Sequence, residues 1–155
     1  MGKEYHDNGK LKFAGEYYEG KTGWKSDGGN GMNRQGVDDV VSMLERYPMQ
    51  YIGVIGRDGK PKVKPFEFKY EENGKLWFDV MRNQETYREL LENPYIELTV
   101  ADRDPTQWIR IDGRVRFVDD ENVRKKVIAS SPVLKKVCGS EDNTDVLPFT
   151  LDDVK

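Results

Sequence analysis

The chain has 155 residues, 34% of them charged, with 25 Lys/Arg against 28 Asp/Glu and a net charge of −3. That length suits one domain with a real core, or one domain plus a small appendage. The charge balance carries no nucleic-acid footprint, and no apolar run approaches the roughly 18 residues that a membrane span needs.

Glycine divides the chain. Nine of the 15 glycines lie in the first 36 residues, so that stretch reads as turns and linker rather than core. Residues 1–24 predict a β-hairpin appendage, with turn signals at Asn8-Gly9 and Glu19-Gly20 and alternation through Leu11 and Phe13. Residues 25–36 have flexible-linker composition. The main domain, residues 37–155, opens with a helical face of Val37, Val40, Val41 and Leu44, closed by Tyr47-Pro48.

A strand follows over 51–55, then a turn at Asp58-Gly59. A basic strand over 62–70 leads through Asn73-Gly74, a strong hairpin signal, into a strand with Leu76, Phe78 and Val80 on one face. A polar turn then opens a helix near 84–92 that carries Tyr87, Leu90 and Leu91 on one side and stops at Pro94. Residues 95–101 alternate as a strand. Residues 107–118 form a long strand, with a bulge or bend expected at Asp112-Gly113. Asp119-Asp120 caps a helix bearing Val123, Val127 and Ile128, Ser131-Pro132 interrupts it, and a short helix follows over 133–137. Leu147, Phe149 and Leu151 alternate in a last strand. Sequential hairpins with a few helices predict an α+β fold, mainly antiparallel β and barrel-like.

The candidate chemistry is narrow. One cysteine and one histidine exclude a Cys/His zinc site. With His6 in the appendage, they also exclude a Ser-His-Asp or Cys-His centre in the main domain. Cys138 forms no internal disulfide and suits a reducing cytoplasm, and the charged N-terminus lacks the apolar segment of a signal peptide. The loop acids Glu141, Asp142 and Asp145 lack cation-loop spacing, so no metal is expected. The run from Asp58 to Pro94 has strand ends, a helix N-terminus and lysines, a combination able to hold a phosphate. Lys60, Lys62 and Lys64 can equally be the protection of an edge strand. A hydrophobic share of 36% points to further burial across a subunit interface.

The stretches YIGVIGRDGKPKVKPFEF, NGKLWFDV, TYRELLENPYIEL, QWIRIDGRVRFVDD and SSPVLKKV, in that order, resemble the pyridoxamine 5'-phosphate oxidase-like superfamily, the flavin-binding split β-barrels. The similarity covers residues 37–151 and is greatest to a small bacterial branch that includes nitroimidazole-resistance-type proteins. It implies a homodimer with flavin mononucleotide (FMN) in two clefts at the subunit interface. It also implies site positions. Lys64 and Lys69 fall at basic positions on the strand, Lys64 toward the flavin phosphate. Pro65 and Phe66 would run beside the isoalloxazine ring. Phe78, Asp79 and Val80 would pass beneath it or contact it through backbone. Trp108 matches a position that meets the flavin from the other subunit, with Arg110 on the same face.

Two departures stand out. Gln84 and Glu85 occupy positions where the family carries a basic pair at the phosphate, leaving Arg82 and Arg88 as the nearest cations and Gln84 as an uncharged donor. The chain also ends without the Arg/His segment of the true pyridoxamine-phosphate oxidases, so that reaction is not expected. The N-terminal hairpin resembles a single MORN-type repeat.

Three functions therefore stand in competition. The first is a cytoplasmic FMN-binding oxidoreductase of small-molecule substrates, whose catalytic residues the sequence does not name. The second is a non-enzymatic dimeric module that has lost or altered flavin binding and recruits a protein partner through its hairpin. The third is a barrel holding a deazaflavin, flavin adenine dinucleotide or haem. Whether the chain is an enzyme is open at this point. Trp108 can also be plain packing, and Arg82 and Arg110 plain surface charge.

Overall fold

The structure, a computed structural model, describes residues 3–5, 11–14, 34–103 and 107–155. Strands β1 (Lys3–Tyr5) and β2 (Leu11–Ala14) pair antiparallel as a separate two-stranded sheet. The Asn8-Gly9 turn, the Glu19-Gly20 turn and the linker up to residue 33 lie outside the described residues. Helix α1 (Arg34–Arg46) begins three residues inside the stretch read as linker, and its Val37, Val40 and Leu44 are buried as the spacing predicts.

The main sheet contains β3 (Gln50–Ile55), β4 (Pro61–Phe66), β5 (Tyr70–Glu72), β6 (Lys75–Met81), β7 (Tyr95–Ala101), β8 (Trp108–Phe117) and β9 (Val146–Asp152). Their order is β4-β3-β7-β8-β9-β6-β5, and every pairing is antiparallel. The two edge strands, β4 and β5, are joined by only residues 67–69. A flat seven-stranded sheet would hold its edges about 29 Å apart, whereas such a short link reaches only about 14 Å. The sheet is therefore rolled into a barrel. The expected single strand over 62–70 is two strands for this reason: the chain leaves β3 after Phe66 and crosses to the opposite edge, where the Lys69 N–H donates to the Trp77 carbonyl at 2.9 Å.

Gln50 secures the crossing. It is fully buried. Its Nε2 donates to the carbonyls of Leu44 (2.9 Å) and Tyr47 (2.6 Å), two acceptors left open at the end of α1. Its Oε1 accepts from the Phe68 N–H at 2.6 Å, in the crossing segment. Inside the barrel, Phe78 stacks on Phe149 with ring centroids 5.4 Å apart, and Phe66 meets both.

Helix α2 (Glu85–Glu92) follows β6, and α3 (Glu121–Ser130) and α4 (Pro132–Cys138) lie between β8 and β9 in the chain. Asp120 caps α3 by accepting from the Val123 N–H, and Ser131 caps α4. Val127, Ile128 and Leu134 pack with Val146 as a second apolar cluster. Strand β9 thus lies between the barrel interior and these helices. It is buried continuously from Val146 to Leu151 rather than alternating as expected.

Two other local expectations change. Leu91 is exposed, and α2 buries Thr86, Glu89 and Leu90. Strand β8 has no bulge at Asp112-Gly113, because its pairing with β7 runs in continuous register from Trp108 to Arg114. From Arg114 onward β8 pairs with β9, so the strand turns the barrel corner by changing partner. Glycine is needed at 113 because a Cβ there would lie 2.9 Å from the Leu151 Cβ.

Gln50→Met keeps the volume but leaves two buried carbonyls and one N–H unpaired. A loss of about 3 kcal/mol or more is expected from urea unfolding, with α1 losing hydrogen-exchange protection first.

Candidate functional site

Three chain segments converge at one end of the barrel: the end of β4, the end of β6 and the start of α2. Along β4, Lys62, Lys64 and Phe66 pair with Val54, Ile52 and Gln50 and share their inward side, while Pro61, Val63 and Pro65 point outward. Lys64 and Pro65 thus stand on opposite faces. Gln84 sits at the N-cap of α2 in an extended conformation and makes no side-chain cap. The helix opening is uncapped and electropositive, an arrangement suited to an anion. Lys64 Nζ stands over this opening. It donates to Thr86 Oγ1 at 3.0 Å and forms an ion pair with Glu89. The Lys64 side chain is 24% exposed and that of Glu89 only 4%.

Around the same helix, Glu85 meets Arg57 at 3.4 Å and Arg88 at 3.3 Å, and Arg57 also holds Glu92 at 2.8 Å. The hydrogen bonds that Arg57 donates to Glu92 and Glu85 raise the affinity of its guanidinium for its proton.

The two faces of β6 serve different layers. Phe78 and Val80 are buried in the barrel core, so Phe78 offers a ligand its backbone rather than its ring. Asp79 faces the other way. It meets Lys69 at 3.2 Å, and Lys69 also pairs with Glu67. Glu67 in turn accepts from Ser131 Oγ at 2.9 Å, which ties the crossing segment to the junction of α3 and α4. Lys69 is 4% exposed, so the positive group is held inside by two carboxylates. Burial pushes the Asp79 carboxyl above its ordinary range, with the Lys69 charge opposing that shift. Burial, then the Asp79 charge, pushes the Cys138 thiol up, the opposite of an activated cysteine.

Arg82 leaves the end of β6 toward α3. It donates to the Thr144 carbonyl at 3.0 Å and pairs with Asp119 at 2.8 Å. The Asp119 carboxyl is held below its usual range by hydrogen bonds from Arg124 and Arg82.

Trp108 and Arg110 lie elsewhere. They sit on the outer face of β8, opposite Ala101 and Thr99 of β7, with the Arg110 guanidinium 6.0 Å from the Trp108 ring and 3.6 Å from Glu97. That face continues across β7, β3 and β4 with exposed Tyr95, Tyr51, Ile55 and Val63, the last 74% exposed. Within one chain, therefore, Lys64 and Gln84 meet at the start of α2, Phe66, Phe78 and Val80 lie in the barrel interior, and Arg82 turns away toward Thr144 and Asp119. Lys69 lies beneath Asp79, and Pro65, Trp108 and Arg110 share the outer sheet face. Among the described residues, no group of three or more His, Cys, Asp or Glu could hold a metal ion.

The sequence reading missed Glu89, Thr86, Glu67 and Ser131. Glu89 and Thr86 sit among the buried positions of α2, where two polar residues on an apolar stripe were the available signal.

Lys69→Met would leave the deeply buried Asp79 carboxylate without its cation and Glu67 with only the Ser131 hydroxyl. The variant should lose about 3 kcal/mol or more of stability at pH 7. A carboxyl raised above its unfolded value favours the folded state at low pH and loses that contribution as pH rises through the folded value. The deficit should therefore shrink as pH falls and Asp79 takes up a proton, which urea unfolding at pH 7 and pH 4.5 would show.

Comparison with known proteins adds the lineage. The sequence profile described as pyridoxamine 5'-phosphate oxidase matches residues 38–149. Among curated proteins, none matches the chain significantly. Among solved structures, a NimC/NimA family protein from Clostridium acetobutylicum is 24% identical with a TM-score of 0.67, the match covering 76% of this chain and 80% of that one. A protein of the same organism related to general stress protein 26, of the pyridoxinephosphate oxidase family, is 14% identical with a TM-score of 0.63, covering 78% and 85%. General stress protein 26 from Bacillus anthracis is 13% identical with a TM-score of 0.63, covering 75% and 87%. These likenesses show a shared fold, and the profile spans most of the chain. The chain belongs to the pyridoxamine 5'-phosphate oxidase family.

Proposed function

We propose that this protein is an FMN-binding flavoprotein of the cytoplasm that acts as a homodimer and transfers electrons to or from a small-molecule substrate. The observation that carries this is the open α2 N-terminus with Lys64 standing over it. It is an anion site at the edge of an aromatic-lined barrel. The residues fit the group: a phosphate needs amide and ammonium donors, and a flat ring needs apolar walls with few polar groups. Lys64, Gln84 and Arg82 would hold the phosphate end. Phe66 and the backbone of Phe78 to Val80 would support the ring. The cofactor would supply hydride or electron transfer; the chain's own part is to bind it, orient it and exclude water.

The outer sheet face supports the homodimer reading. An exposed surface with Tyr51, Ile55, Val63 and Tyr95 is a large apolar patch for a monomer. A two-fold contact through it would bring Trp108 and Arg110 of one subunit against the outer face of the other, where edge strand β4 presents Val63 and Pro65 and carries Lys64 on its inward side.

One observation favours the second reading, a dimeric binding module with altered or lost flavin binding. Lys64, Lys69 and Arg82 each already face a carboxylate. In that case residues 1–24, as a separate hairpin unit, recruit a protein partner.

The visible spectrum of purified protein, before and after FMN is added and excess removed, separates the two. Retained flavin absorbance is expected, and Lys64→Gln should lower retention at least tenfold. A native protein that stays colourless would favour the binding module. By sedimentation velocity the native chain should run as a dimer and Val63→Asp as a monomer; unchanged sedimentation of that variant would rule out this face as the interface.

A further inference from the structure

The Lys64–Glu89 pair has a consequence for which flavins the site accepts. Lys64 Nζ carries three donors. One goes to Thr86 Oγ1 in the first turn of α2 and one to Glu89, leaving a third for an incoming anion. Glu89 is 4% exposed, and its ion-pair partner is Lys64. The other acid of this helix end, Glu85, is already met by two arginines, Arg57 and Arg88. Glu89 is thus the carboxylate that competes with an anion for the same ammonium. A phosphate dianion on Lys64 would share that ammonium with a carboxylate held in a low-dielectric setting, where like charges repel far more than in water.

We infer that Glu89 is a specificity-determining residue that suppresses the preference for phosphorylated over unphosphorylated flavin. This rests on the flavin-binding reading above. Native protein should bind FMN and riboflavin with affinities within about tenfold of each other, because net charge at Lys64 and Glu89 is zero. The ring sites are untouched by the pair, so riboflavin affinity does not depend on it. The cofactor would then be held mainly by its ring rather than by its phosphate.

The test is a flavin fluorescence-quenching titration with FMN and with riboflavin on four proteins: native, Glu89→Gln, Lys64→Gln, and the double variant. Glu89→Gln keeps an acceptor for Lys64 and removes the charge. It should tighten FMN about tenfold and leave riboflavin unchanged. Glu89 can also be read in the background lacking the lysine: the double variant should bind FMN about tenfold tighter than Lys64→Gln alone, again with riboflavin constant. Either pair answers alone, so an unfolded single variant, seen by circular dichroism, does not remove the test. An FMN-to-riboflavin ratio unchanged within twofold would overturn the inference while leaving flavin binding intact. Failure of both flavins to bind native protein would overturn the flavin reading itself, and the inference with it.

Discussion

A seven-stranded sheet whose opposite edges are joined by three residues has one option, which is to roll up. The rest of the molecule follows from that constraint. The link over 67–69 must be anchored without a strand partner, and Gln50 does this from inside, with its amide shared between the end of α1 and the Phe68 N–H. Rolling gives the sheet an inner side filled with phenylalanines and an outer side divided in two. One part is covered by α3 and α4, the other carries Tyr51, Val63 and Trp108. Because the link carries Glu67 and Lys69 beneath Asp79, the crossing also sets the electrostatics at the junction of α3 and α4. A polar backbone latch and a buried ion cluster thus stand within a few residues of each other in sequence. Buried polar groups of this kind stabilise a fold only when every member is satisfied.

The charges at the candidate site are arranged as opposed pairs rather than as a positive basin. Lys64 faces Glu89, Lys69 faces Asp79 and Glu67, and Arg82 faces Asp119. The pairs differ in burial and therefore in consequence. Asp119 is well exposed, and its attraction to Arg82 is screened by solvent. Glu89 and Lys69 are not exposed, so removing one partner there leaves a charge in a poor solvent. Any phosphate entering such a site would have to compete with these carboxylates for its donors.

Much of the fold was legible because it rests on local chemistry. Asn73 and Gly74 both take positive φ, 54° and 76°, as their hairpin signal requires. Strand β7 alternates buried and exposed positions along its length. The Asp120 and Ser131 caps stand where their side chains predict. Illegible features depend on partners distant in the chain. Gln50 lies one residue before the strand read from the sequence and gains its role only when the fold brings Phe68 beside it, and the partner of Glu89, Lys64, arrives from 25 positions away. β9 reads as alternating because only the fold places helices over its second face. Gly113 reads as a bulge because sequence cannot show Leu151 packed against it. Trp108 lies on an outer face beside Arg110, and the role expected of it came from the resemblance alone, not from local pattern.

The most direct test of a flavin site completed by two subunits is complementation between defective chains. Lys64→Gln and Trp108→Ala proteins, each failing to retain FMN, are mixed, unfolded and refolded together. In a two-fold dimer each heterodimer has one intact site and one doubly defective site. Random pairing then predicts FMN retained at about one quarter of all sites. Retention no greater than that of the two variants refolded separately would contradict a site shared between subunits.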